Sequence, residues 1–108
     1  MKNDAILFLW AKLARIVRGC STGLSVIVDE PGHLRIEARS GRPFVNVRIQ
    51  RSHVGVYLLP MYYHPEVLGS LTERKSGKGT LRFYEEEDPL IDELSGLIER
   101  SVALVGHY

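Results

Sequence analysis

Between residues 24 and 59, apolar side chains recur at every second position in four consecutive segments, and short runs of glycine, proline and polar residues separate them. Leu24, Val26 and Val28 alternate with Ser25, Ile27 and Asp29. Leu34, Ile36 and Ala38 alternate with Arg35, Glu37 and Arg39, and Val45, Val47 and Ile49 with Asn46, Arg48 and Gln50. Val54, Val56 and Leu58 close the series. A period of two puts one set of side chains on each face of an extended strand. Pro31-Gly32 supplies the first turn, Ser40 to Pro43 the second and residues 51–53 the third. Links this short join antiparallel neighbours, so the segment predicts a four-stranded meander with one apolar face.

That face needs a cover, and helical periodicity on either side provides it. Residues 4–18 read as a helix with Asn3 or Asp4 as N-cap, Lys12, Arg15 and Arg18 in its later part and Gly19 at its end. Its apolar stripe is Ile6, Leu9, Trp10, Leu13, Ile16 and Val17, while Phe8 falls on the other side. A last helix over 89–105 has Asp88 as N-cap, Pro89 at its first position and Gly106 beyond its end. Its stripe is Leu90, Ile91, Leu94, Leu97, Ile98, Val102 and Val105. Pro60 ends the fourth strand, Pro65 opens a short helix to about residue 71, and residues 75–79 form a polar loop before a fifth strand at 80–84. The expected fold is α+β, a two-layer sandwich with an antiparallel sheet of about five strands and the N- and C-terminal helices on one face. A chain of 108 residues builds one such core, so 1–108 is read as a single domain.

Charge and cysteine content narrow the function. Fourteen Lys plus Arg against thirteen Asp plus Glu leave a net charge of +1, so no global field draws nucleic acid or acidic lipid. Cys20 stands alone and cannot form an internal disulfide, and no Cys/His spacing matches a zinc site; the expectation is a reducing, cytoplasmic setting. The apolar run at 5–11 is too short to span a bilayer, so no membrane partner is expected.

The stretch from Val56 through Leu58-Leu59-Pro60-Met61-Tyr62 to Leu68, the stretch Lys75 to Phe83 with its Gly77-Lys78 pair, and the turn Asp29 to Gly32 resemble the YdhG-like family of small bacterial domains. The resemblance runs from about residue 13 onward. It implies a fold related to frataxin, and since some members are described as iron chaperones it also raises an iron-carrier role. Frataxins present an acidic ridge on the first helix, whereas Lys12, Arg15 and Arg18 here would repel an iron cation. The resemblance therefore carries the fold, and neither a metal nor a cofactor is expected.

Four regions carry candidate chemistry. In Lys75-Ser76-Gly77-Lys78-Gly79-Thr80 the glycines can expose backbone N–H groups and the lysines add charge, as in an anion-binding nest; a solvated turn has the same composition. It is not a Walker loop, because position 72 is Thr and a strand follows. Tyr62, Tyr63 and His64 lie where a strand ends and a helix begins, offering two phenols and an imidazole; the plainer alternative has one tyrosine in the core and His64 capping the helix. Glu85, Glu86, Glu87 and Asp88, with Asp92 and Glu93, could bind a hard cation, although a helix start favours the same charges. Arg35, Glu37, Arg39, Asn46, Arg48, Tyr57, Arg82 and Tyr84 share the outward sheet face, which resembles an RNA-reading surface or simply a solvated one. Without an RNP-type aromatic pattern, nucleic acid is disfavoured. No nucleophile–base pair can be assembled around Cys20 or His64, so no catalytic residue is named and the chain is not expected to be an enzyme.

The expectation is thus an intracellular binding module for a small anionic ligand or a protein partner, using Tyr62, Tyr63, His64, Lys75 and Lys78. A homodimer through an edge strand or the open sheet face is compatible with it. The alternatives are a metal carrier and a nucleic-acid binder.

Overall fold

The computed structural model describes residues 4–108, so Asn3 as a helix cap lies outside the described residues. Helix α1 (Asp4–Cys20) is followed by β1 (Ser25–Glu30), β2 (His33–Glu37), β3 (Pro43–Ile49) and β4 (Val54–Leu58). Next come a short α2 (Leu59–Tyr63), a 3₁₀ segment (Pro65–Arg74), β5 (Lys75–Gly77) and β6 (Thr80–Phe83). A 3₁₀ turn (Pro89–Glu93) then leads into α3 (Leu94–Val102). The fold is α+β, and its sheet is antiparallel throughout, in the order β1-β2-β3-β4-β6-β5. Six strands rather than five arise because Lys75–Gly77 pairs with β6 across the Lys78-Gly79 turn instead of remaining a loop.

The register explains the core. Leu34, Val47, Val56 and Leu81 form one row across β2, β3, β4 and β6; Ile36, Val45 and Leu58 form a second, and Val54 with Phe83 a third. All nine are buried on the side that α1 covers, since α1 packs on β3 and β4 and α3 packs on α1. Phe44 joins them through a bulge. Ile36 faces Val45 while Glu37 faces Pro43, leaving Phe44 as an extra residue that turns inward and is fully buried.

The first strand departs from its expected face. A second bulge falls at Ile27, and β1 is the edge strand of the sheet, with Val26 and Ile27 each about half exposed, at 51% and 52%. In α1, Ala14 is buried with Leu9, Trp10, Leu13 and Val17, whereas Ile6 and Ile16 sit at the margin. Polar groups in this interior have partners. Trp10 Nε1 donates to the Val47 carbonyl at 2.8 Å, the hydroxyl of Ser21, just beyond α1, donates to the Val17 carbonyl, and that of Ser101 donates to the Leu97 carbonyl one turn back in α3.

The connecting segments also differ from expectation. Pro60 ends β4 but also begins α2, where it needs no N–H donor. The segment opened by Pro65 is 3₁₀ and runs to Arg74, broken at Gly69, whose φ of +56° only glycine adopts readily. Asp88 caps the last helical stretch as expected, its carboxylate accepting from the Leu90 N–H at 2.9 Å, but that stretch starts as a 3₁₀ turn and the α-helix ends at Val102.

Leu94 and Ile98 are fully buried beneath α1 and the 3₁₀ segment. Leu94→Ala and Ile98→Ala are each expected to cost about 2–5 kcal/mol in urea unfolding, the range for cavities in a packed core.

Candidate functional site

Where the outward face of the sheet meets α2, the chain builds a cleft of about 400 Å³. Its sheet side is the register row Asn46, Tyr57 and Thr80; α2 contributes Leu59 and Tyr62, and the β5–β6 turn contributes Lys78. Local sequence produces each wall. Pro60 and Met61 bury the inner side of α2, which leaves Tyr62 and Tyr63 outside at 47% and 52% exposure. The Gly79 carbonyl accepts from the Leu58 N–H at 2.8 Å, holding the turn against the start of α2. A Cβ at Gly79 would stand 3.6 Å from the Tyr62 side chain, so the backbone there lies in van der Waals contact with that tyrosine. Lys78 Nζ ends 5.7 Å from the centroid of the Tyr62 ring, within cation–π range.

The five residues expected to form one site are thus divided. Tyr62 and Lys78 come together. Tyr63 meets Tyr62 edge-on at 5.1 Å, but its face stacks on Tyr108, and the Arg42 guanidinium lies within 6 Å of both those rings, at 5.9 and 5.4 Å. Neither tyrosine enters the core. His64 does not cap a helix with its side chain; Nε2 donates to the His107 carbonyl at 3.0 Å, and Nδ1 stands 3.5 Å from the Glu66 carboxylate. Lys75 projects from the edge strand into a separate, highly charged cleft of about 540 Å³ that also contains Arg74, Arg82, Glu87 and Asp88. Arg42 and Tyr108 were not legible as neighbours of Tyr63, because 65 residues separate the Pro43 carbonyl from the Tyr108 hydroxyl that donates to it.

Compared with family models, curated proteins and solved structures, the chain matches none.

The remaining candidates resolve into specific contacts. Asp88 takes a two-pronged bond from Arg74, Nε to Oδ2 at 2.6 Å and Nη2 to Oδ1 at 3.0 Å, in addition to its helix-capping bond. The Arg74 hydrogen bond, followed by the Leu90 N–H, holds this carboxyl below the usual carboxylate range against the opposing effect of burial. Among the described residues, no three His, Cys, Asp or Glu side chains converge as metal ligands. On the outward face Arg35 pairs with Glu37 at 2.9 Å, and His33 contacts Asn46 at 3.2 Å. The Tyr57 ring leans over Gly55, where a Cβ would come within 2.9 Å of it, and its hydroxyl accepts from Gln50 at 3.1 Å. The half-buried Cys20 thiol has its pKa raised by burial and by Glu99, which disfavours the nucleophilic thiolate.

A depressed carboxyl pKa stabilises the fold at pH values above the unfolded pKa, about 3.9, and this stabilisation is lost as the pH falls through the folded value. Asp88→Asn is therefore expected to be less stable than the parent near neutrality, with the gap closing below about pH 4 in urea unfolding. Asp88→Ala, which also lacks a cap acceptor, is expected to lose about 1 kcal/mol more.

Proposed function

We propose that this chain is a non-catalytic binding module that takes a small anion, or an acidic group displayed by a protein partner, in the cleft between Tyr62 and Lys78. The observation that carries the reading is the convergence of two segments distant in sequence. One supplies an exposed aromatic wall, the other an exposed ammonium that makes no ion pair among the described residues. An ammonium beside a phenol ring gives an anion a charge partner and an apolar contact at once, and the hydroxyl of Thr80 and the amide of Asn46 add hydrogen-bonding capacity. The same two segments carry the YdhG-like resemblance, so membership of that family and a cytoplasmic setting belong to this reading. The pairings at the cleft are amine with ring rather than nucleophile with base, which favours binding over catalysis.

A second reading, nucleic-acid binding on the outward face, is favoured by one arrangement. Arg48 and Arg82 occupy the register positions on either side of Gly55, over which the Tyr57 ring lies, so cations flank an aromatic surface.

NMR titration with inorganic phosphate, citrate and a mononucleotide separates the two. The expected result is chemical-shift change at Tyr62, Lys78, Gly79 and Thr80, at least tenfold weaker binding in Lys78→Ala, and no change in Lys75→Ala. Both variants should stay within about 0.5 kcal/mol of the parent in stability, since both lysines are exposed. Shifts confined to Arg48, Tyr57 and Arg82 would favour the second reading, and no shift anywhere would reject both.

A further inference from the structure

The two edges of the sheet are built differently. β5 is three residues long, polar and led by Lys75, which is how sheet edges ordinarily avoid pairing with another chain. β1 has six residues, contains no lysine, arginine or proline, and exposes Val26 and Ile27 to solvent. Its bulge at Ile27 interrupts pairing with β2 yet leaves both apolar side chains outside. An edge of this length and polarity is a template for strand addition.

The charges beside it select the occupant. Asp29 and Glu30 stand at the end of β1, and Arg39 stands at its beginning, where Nε donates to the Gly23 carbonyl at 3.3 Å. Among the described residues neither Glu30 nor Arg39 has an ion-pair partner, and Asp29 has only the solvent-exposed Arg18. A strand with acid at one end, base at the other and an apolar middle complements its own antiparallel copy.

We propose that two copies of this chain pair antiparallel through β1. Val26, Ile27 and Val28 of one copy meet the same residues of the other around a two-fold axis, and Glu30 of each approaches Arg39 of its partner at both ends. The symmetry closes the interaction at a dimer, since each copy spends the longer of the two sheet edges among the described residues. The contact lies at the opposite edge of the sheet from the β5–β6 turn, so it is independent of the anion cleft.

Sedimentation velocity and light scattering on the full chain, from low micromolar to submillimolar concentration, test this. The expected result is a concentration-dependent dimer. Ile27→Lys should make it monomeric while circular dichroism stays unchanged, and Arg39→Glu and Glu30→Arg should each weaken association at least tenfold. Combining Glu30→Arg with Arg39→Glu should restore it, because the exchanged charges face each other again. A wild-type monomer across the whole range, undiminished dimer in Ile27→Lys, or failure of the double variant to recover would each overturn the proposal.

Discussion

The indole N–H of Trp10 reaches from α1 to the carbonyl of Val47 at 2.8 Å, inside an interface otherwise made of aliphatic and aromatic carbon. A hydrogen bond in that setting fixes position as well as contributing energy, because either group left alone would be buried without a partner. With α1 set on the two central strands, α3 has a surface to dock on, and the rest of the covering layer follows. Arg100 of α3 donates to the Val67 carbonyl at 2.9 Å, tying the broken 3₁₀ segment to that helix, and the segment in turn continues from α2. The position of Tyr62 thus traces back through hydrogen bonds and packing to the centre of the sheet.

Alternation made the inner rows legible wherever a strand has helices on one side and water on the other. It failed where that condition failed. Phe44 breaks the pattern because a bulge puts two successive side chains on the same face. Val26 alternates correctly, but β1 is the edge strand and carries a bulge beside it, and this periodic apolar residue is left half in water. The loop at 75–79 looked flexible because glycine, serine and lysine suit a loop, yet a neighbouring strand with free backbone groups drew its first three residues into the ladder. Of the site, Tyr62 and Lys78 were accessible to reasoning because each lies within two residues of a proline or glycine that punctuates the chain. The contacts of Tyr63 with Arg42 and Tyr108 depend on tertiary folding and leave no local sign.

Near-zero net charge conceals strong local differences. Arg74 and Asp88 neutralise each other in a half-buried pair that also caps a helix, and Arg35 is matched by Glu37. By contrast Arg42 and Lys78 rest on aromatic rings and retain their charge for whatever approaches. The acidic run before α3 reads as a metal-binding motif by composition. In the fold Asp88 turns toward Arg74 and Leu90, and the Glu86 carbonyl accepts from Lys12 at 2.7 Å, so its members serve the packing of neighbouring segments.

Two prolines bracket the exposed tyrosines, Pro60 at the start of α2 and Pro65 at the start of the 3₁₀ segment. Each locks its own φ and narrows the choices of the residue before it, so Leu59 and His64 are restricted as well. The aromatic wall is consequently presented on backbone that has already lost most of its freedom during folding. A guest that settles against Tyr62 has little main-chain entropy left to extract, and the affinity it reaches depends on its own rigidity more than on that of its host.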